Sequence, residues 1–332
     1  MMRNHGAVTQ NMAQLMSISN AGKRFAAAGF NPKVLRTLDL LQKDEWKALD
    51  DAVVRVARTQ LTVIADLRAA GLTRNLGSLG VMIDEYEKVS EIDEAEQNMT
   101  GIASGQKDLP EYTLASVPVP VTFRDFQVNI RTLEASRNRG GAMDTVTAEM
   151  STRRVSEKLD DMVFNGSTIQ VDGATIEGLT TQGDRLTGTL TDTAGEGWLP
   201  SAARDVIADT LAMISALEAI NFRGPYNLYV PVNYMSALRD DYSTAKGDRT
   251  FIERMLAIEP LQAIKGSPSL TAEVVMVQMT SDVIDLSIGQ DIVTVEWDSM
   301  GGLVTDFKIM AAIVPRVKSS AIGESGIAHY SV

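Results

Sequence analysis

From Val81 to Pro120 the sequence has strand and loop character and no helix able to build a core. The stretch opens acidic, with Asp84, Glu85, Glu87, Glu91, Asp93, Glu94 and Glu96. It gains glycine at Gly101 and Gly105 and closes on LASVPVPVTF. Pro118 and Pro120 lack the amide that a central strand donates, so they mark a sheet edge or a strand start. A two-stranded ribbon of this length with few large apolar residues cannot bury its own faces, because isolated ribbons are marginal in water. Such a segment has to be stabilised from outside the monomer. It favours a self-assembling protein over an enzyme built around a pocket.

Composition narrows the classes further. The chain has 332 residues, 44% hydrophobic and 22% charged, values ordinary for a globular protein of one large or two modest domains. Aromatic residues are only 5%, so the core rests on Ala, Val, Leu, Ile and 16 Met. The formal net charge is -12, and no Lys/Arg cluster of the kind that releases phosphate counterions is present. A nucleic acid next to such a surface is walled in rather than gripped. Cysteine is absent, which excludes disulfides, thiolate zinc sites and thiol catalysis. The N-terminal residues lack a continuous apolar stretch of signal-peptide type. With no apolar run of about 18 residues, no membrane span is expected.

The polar, Met- and Ala-rich residues Met1 to Leu41, interrupted at Asn31-Pro32, read as an arm. Lys43 to Ala70 is expected as one helix, with Trp46, Leu49, Val53, Val56, Leu61, Ile64 and Leu67 near helical spacing and Gly71 as its stop. Alternation from Val121 to Ile130 predicts a strand. A long amphipathic helix from Ala142 to Phe164 follows, its apolar stripe read as Met143, Val146, Met150, Val155, Leu159 and Met162. Ser167 to Leu190 reads as short strands and turns. Helices are expected over Ser201–Ile220, Val232–Asp240 and Thr250–Ala257. Tyr226–Pro231 is expected as a buried strand. Strands are expected over Glu273–Met279, Val283–Ile288, Ile292–Trp297, Leu303–Val314 and Val317–Ala321.

Five stretches, in this order, carry a family resemblance: FRDFQVNIRTLEASRNRGGAMDTVTAEMSTRRVSEKLDDMVFNG, EGLTT, GPYNLYVPVNYMSALRDD, LSIGQDIVTVEW and FKIMAAIVPRVKSSAIGESGIAH. Over Leu72 to His329 the chain resembles the major capsid proteins of tailed bacteriophages, of Hong Kong 97-type fold, and the encapsulin shell proteins that share it. The resemblance implies an α+β subunit. Its parts would be an N-terminal arm over 1–41, an N-terminal helix region over 42–80 and an extended loop over 81–120. A peripheral domain over 121–200 would hold a spine helix at 142–165. An axial domain would cover 201–300, with C-terminal strands over 301–332. The winding of the axial strands stays open, a permuted connectivity included. The arm preceding the first helix favours a phage capsid.

The function implied is structural: pentamers and hexamers of an icosahedral phage head enclosing double-stranded DNA. The alternative is an encapsulin-like shell around protein cargo. The partners implied are the chain itself, scaffolding, portal and decoration proteins and non-specifically contacted DNA. The location implied is the virion, assembled in the host cytoplasm. No enzyme activity, cofactor or metal is expected. The acidic run Asp84 to Glu96 lacks the glycine-centred spacing of a calcium loop, so a solvated or ion-paired face is the plain expectation. The sharper expectation is an assembly interface. In it Asp84, Glu85, Glu87, Glu91, Asp93 and Glu94 meet Arg131, Arg137, Arg139, Arg153 or Arg154 of an adjacent subunit, with Lys107 on the same loop. By the resemblance, Lys88 and Lys107 are the loop lysines available for cross-linking to a neighbour's Asn. The glycines of Asn165 to Gly188 match no phosphate-binding pattern and read as turns. The two histidines, His5 and His329, are expected to be exposed or at interfaces.

Overall fold

The computed structural model describes residues 43–89, 97, 99–100, 109–110, 112–129, 131–133, 135, 145–191, 197–199, 203–241, 249–300, 303–320 and 322–332. The arm expected over 1–41 lies outside them. The chain divides into two units, one drawn from Met1–Arg55, Asp125–Ser151 and Thr294–Lys308, the other from Val56–Arg124, Thr152–Val293 and Ile309–Val332.

In the first unit, Leu49, Ala52 and Val53 of helix α1 (Lys43–Gln60) are buried. Phe126 stacks on Phe307 with ring centroids 5.0 Å apart. Lys308 reaches Asp125 at 3.6 Å and lies 5.7 Å from the Trp297 ring, and Arg55 pairs with Glu149 at 2.7 Å.

The second unit corrects the first helix. The expected single helix breaks at Leu61-Thr62, and α2 (Val63–Ala69) begins anew. Thr62 gives no side-chain cap. The amides of Thr62 and Val63 instead donate to Oδ1 of Asp160, at 3.2 and 3.1 Å. A helix start needs acceptors for its free amides. Here the acceptor comes from helix α3 (Val146–Asn165), far along the chain, so no local signal marked the break.

Helix α3 buries the C-terminal half of the expected stripe, Val155, Leu159 and Met162, but not its N-terminal half, where Val146 and Met150 are exposed; Met143 lies outside the described residues. Ala148, Ser151, Thr152, Ser156, Asp160 and Val163 are buried with them. The buried face is rich in small polar residues, which an apolar count passes over. Phe164, fully buried, meets Tyr229 edge-on at 5.5 Å between centroids. Gly166 ends the helix at φ 70°, and a Cβ there would lie 2.3 Å from the Ile176 carbonyl oxygen. Gly166→Ala therefore combines a left-handed backbone with a backbone clash. We expect a loss of about 1–3 kcal/mol, read as a lower urea midpoint with unchanged slope.

Strands β1 (Thr73–Asn75), β2 (Ile83–Val89), β3 (Tyr112–Pro118) and β4 (Thr122–Asn129) precede α3, and a small hairpin of β5 (Ser167–Val171) and β6 (Ala174–Ile176) follows it. Then come β7 (Leu186–Thr189), α4 (Ala203–Ala219), β8 (Tyr226–Pro231), α5 (Val232–Leu238), α6 (Phe251–Leu256), β9 (Leu261–Ser267), β10 (Glu273–Gln278), β11 (Ile284–Ser299), β12 (Val304–Val317) and β13 (Ile327–Ser331). The sequence reading missed β1, β9 and β13. It also split β11 and β12, each of which is continuous. Pro315 inside β12 removes a donor but keeps an extended backbone.

A five-stranded sheet runs β7-β13-β10-β8-β9, and a four-stranded sheet runs β1-β11-β12-β4. Strand β8 is buried at every position. Tyr226, Leu228 and Val230 pack with Met213 and Leu217 of α4, Tyr234 of α5 and Met255 of α6, while Tyr229 meets Phe164. Burial on both faces is why YNLYVP is apolar nearly throughout.

Candidate assembly surface

The acidic stretch forms an antiparallel hairpin, β2 against β3, with Ile83 opposite Pro118, Glu87 opposite Leu114 and Val89 opposite Tyr112. These two strands make a sheet of their own. Strand periodicity gives the hairpin two chemically different faces.

Asp84, Tyr86 and Lys88 share one face and bind the body of the second unit. Asp84 is 3% exposed. Its Oδ2 accepts from Ser287 Oγ at 2.6 Å and lies 3.2 Å from Arg316 Nη1, and Arg74 reaches its Oδ1 at 3.4 Å. Tyr86 lies against the Arg316 guanidinium, 5.2 Å from ring to carbon. Lys88 donates to Ser319 Oγ at 3.0 Å. Arg316 is itself fixed by Asp285, with Nε donating to Oδ1 at 2.6 Å and Nη2 to Oδ2, while Lys318 adds 2.7 Å to the same carboxylate. Burial opposes the charge of Asp285, but the bonds from Arg316 and Lys318 outweigh it and hold its carboxyl below the ordinary value. Burial likewise opposes the charge of Arg316, and its carboxylate partners raise its pKa in spite of that. Of the solvated or ion-paired face expected here, Asp84 takes the ion-paired form, its charge matched inside its own subunit.

Glu85 and Glu87 point the other way and are exposed, as are Tyr112 and Leu114 at 64% and 61%. Met82, just before β2, and Met99 and Leu109, in the sequence between the two strands, are exposed too. This face mixes wet apolar side chains with carboxylates, and large exposed apolar groups in a cluster mark an interaction surface.

Among the expected arginines, Arg153 and Arg154 both bind Glu157 of their own helix, at 2.7 and 2.9 Å. The Arg131 side chain is exposed. Glu91, Asp93, Glu94, Lys107, Arg137 and Arg139 lie outside the described residues. Lys88, considered for cross-linking, sits near the loop end of the paired strands, opposite Thr113, and donates to Ser319 Oγ. Among the described residues no group of three or more His, Asp or Glu could hold a metal ion.

Two buried groups escaped the sequence reading. His329, expected at the surface, is 9% exposed in β13. Arg185 Nε donates to its Nδ1 at 3.1 Å, so the ring proton sits on Nε2, 2.8 Å from Glu273. Asp160 is the other. Burial pushes its pKa up to about 6 although backbone amides of Val63, Thr62 and Ile64 pull it down, and Asp66 nearby pushes the same way as burial. Its Oδ2 is buried with no hydrogen-bond partner. A carboxyl whose folded pKa exceeds its unfolded value takes up protons on folding. It therefore contributes stability at low pH that is lost as pH rises from about 4 through about 6. Asp160→Asn removes that loss. The variant's stability relative to wild type should rise by about 2 kcal/mol between pH 4 and pH 7, measured by urea unfolding across that range.

The architecture of long helix, projecting hairpin and two sheets is the Hong Kong 97-type fold, found in capsid and shell proteins. The chain is similar to the virus-like particle protein of Pyrococcus furiosus (TM-score 0.60, 15% identity, 86% of this chain and 98% of that one). It is similar to the capsid protein of Myoviridae phage XM1 (TM-score 0.60, 12% identity, 80% and 90% covered). The Type 1 encapsulin shell protein EncA of Myxococcus xanthus (strain DK1622) is 24% identical over 286 residues, covering 84% of this chain and 90% of that protein. The chain belongs to the DUF6260 family, described as a family of unknown function, which matches residues 35–330.

Proposed function

We propose that this chain is the repeating subunit of a closed icosahedral shell. The observation that carries the reading is the hairpin. One face of its strand β2 is bound to the subunit through the buried Asp84, while Tyr112 and Leu114 of β3 are left in water. A second copy covers those two side chains, and symmetric repetition closes the assembly as pentamers and hexamers. Glu85, Glu87 and Arg131 are exposed and are the described residues we assign to pairing across such contacts, each pair worth about 0–1 kcal/mol in solvent and multiplied by the number of copies.

For the contents, a phage-type head around double-stranded DNA is supported by the likeness to the phage XM1 capsid and by the acidic balance of -12. An encapsulin-like compartment around protein cargo is favoured by the EncA match, whose identity of 24% exceeds that to the solved capsids. Electron microscopy of the purified chain tests the shell. Uniform closed particles are expected, and a persistent monomer at high concentration rejects it. Nucleic acid that survives nuclease inside particles from the native source selects the first content, and a co-purifying protein selects the second.

A further inference from the structure

We propose that Arg316, held between Asp84 and Asp285, is a positioning clamp that fixes the direction in which the hairpin leaves the subunit. This inference rests on the shell reading and adds to it the residues that aim its intersubunit element.

The two-stranded hairpin meets the body through one face of β2, and its strand β3 also packs against β5 and β6. On β2 that face offers Asp84, Tyr86 and Lys88. They engage Arg316, the same guanidinium and Ser319, around the end of β12, while Ser287 of β11 holds Asp84 from below. Apolar contacts are non-directional and tolerate sliding. Charged hydrogen bonds are short and directional: the fork of Arg316 on Asp285 fixes the guanidinium plane and the Ser287 hydroxyl fixes Asp84, while Arg316 Nη1 meets Asp84 as an ion pair without a hydrogen bond. The clamp is also buried, with Arg316 and Asp84 side chains 5% and 3% exposed, so a tilt of the hairpin strands charges without partners. A one-residue slip of β2 would bring Glu85 and Glu87 inward instead. The hairpin is therefore seated at one register and one angle before any neighbour arrives. This removes part of the ordering cost of assembly.

The test is Asp84→Asn, which keeps the shape and an acceptor for Ser287 but removes the charge facing Arg316. Two readouts are taken: amide hydrogen exchange of dissociated subunits and particle yield of the assembling chain. Exchange over Ile83–Val89 and Tyr112–Pro118 should accelerate about tenfold or more while β8 and β10 stay protected. Closed particles should fall about tenfold at matched concentration. Unchanged hairpin exchange overturns the proposal. So does faster exchange throughout β8 and β10, which makes Asp84 a residue of the whole core. Loosened hairpins with wild-type particle yield overturn it as well. A wild-type chain that forms no particle rejects the shell reading, and with it the aiming role, while local acceleration in the exchange arm still separates a hairpin clamp from a core residue.

Discussion

Arg316→Met lowers the unfolding free energy of the dissociated subunit by about 3 kcal/mol at neutral pH. Removing one member of a buried ion pair leaves the other uncompensated, at a typical cost of about 3–5 kcal/mol. The low end applies because Lys318 still reaches Asp285 and Arg74 still reaches Asp84. The pH dependence identifies the cause. In the wild type Asp285 is held below its ordinary value of 3.8, so its contribution is present above that pH and lost as pH falls. Without Arg316 that contribution is largely gone at every pH. The gap between variant and wild type should be widest near pH 7 and narrow below about pH 4. Urea unfolding at the two ends of this range measures it. A gap that is constant with pH would assign the loss to packing of the Arg316 stem and not to its charge.

Leu114→Glu has the larger effect on assembly and the smaller one on the subunit. Leu114 is 61% exposed, so the substitution changes subunit stability by about 0.5 kcal/mol or less. In the shell each copy loses about 1.5–3 kcal/mol of apolar burial. The new carboxylate also lies directly opposite Glu87 in the same hairpin, a like-charge pair that costs the dissociated subunit itself about 0.2–0.5 kcal/mol. Repeated in every subunit, the change should abolish closed particles at concentrations where the wild type forms them. Size-exclusion chromatography and negative-stain images decide the outcome. Wild-type particles from this variant would remove the outer hairpin face from the interface.

What was legible in the sequence followed from local rules. The prolines ending β3 marked the hairpin. The apolar run of β8 announced a strand buried on both faces, and Asn165-Gly166 marked the end of the long helix. Residues whose role depends on distant partners were not legible. Asp84 looked like its acidic neighbours, and only Arg316 on β12 distinguishes it from Glu85. The break between α1 and α2 is made by Asp160, a residue 98 positions from Thr62. His329 reads as a peripheral histidine until Arg185 and Glu273 surround it. The buried side of α3 was read correctly at Val155, Leu159 and Met162 but missed at Ser151, Thr152 and Ser156, which are polar by type although the fold encloses them.

The sequence by itself determined the long helices, the buried strand β8, the existence of the hairpin and its lack of apolar content to cover both faces. These depend on backbone preference and side-chain period, which act over a few residues. Only the tertiary structure decided which hairpin face is anchored and which is left in water, where the first helix breaks and which carboxylates are buried. The physical reason is that burial and ion pairing depend on distance in space. A charge costs little or much according to what the fold places beside it, and spacing along the chain carries no record of that.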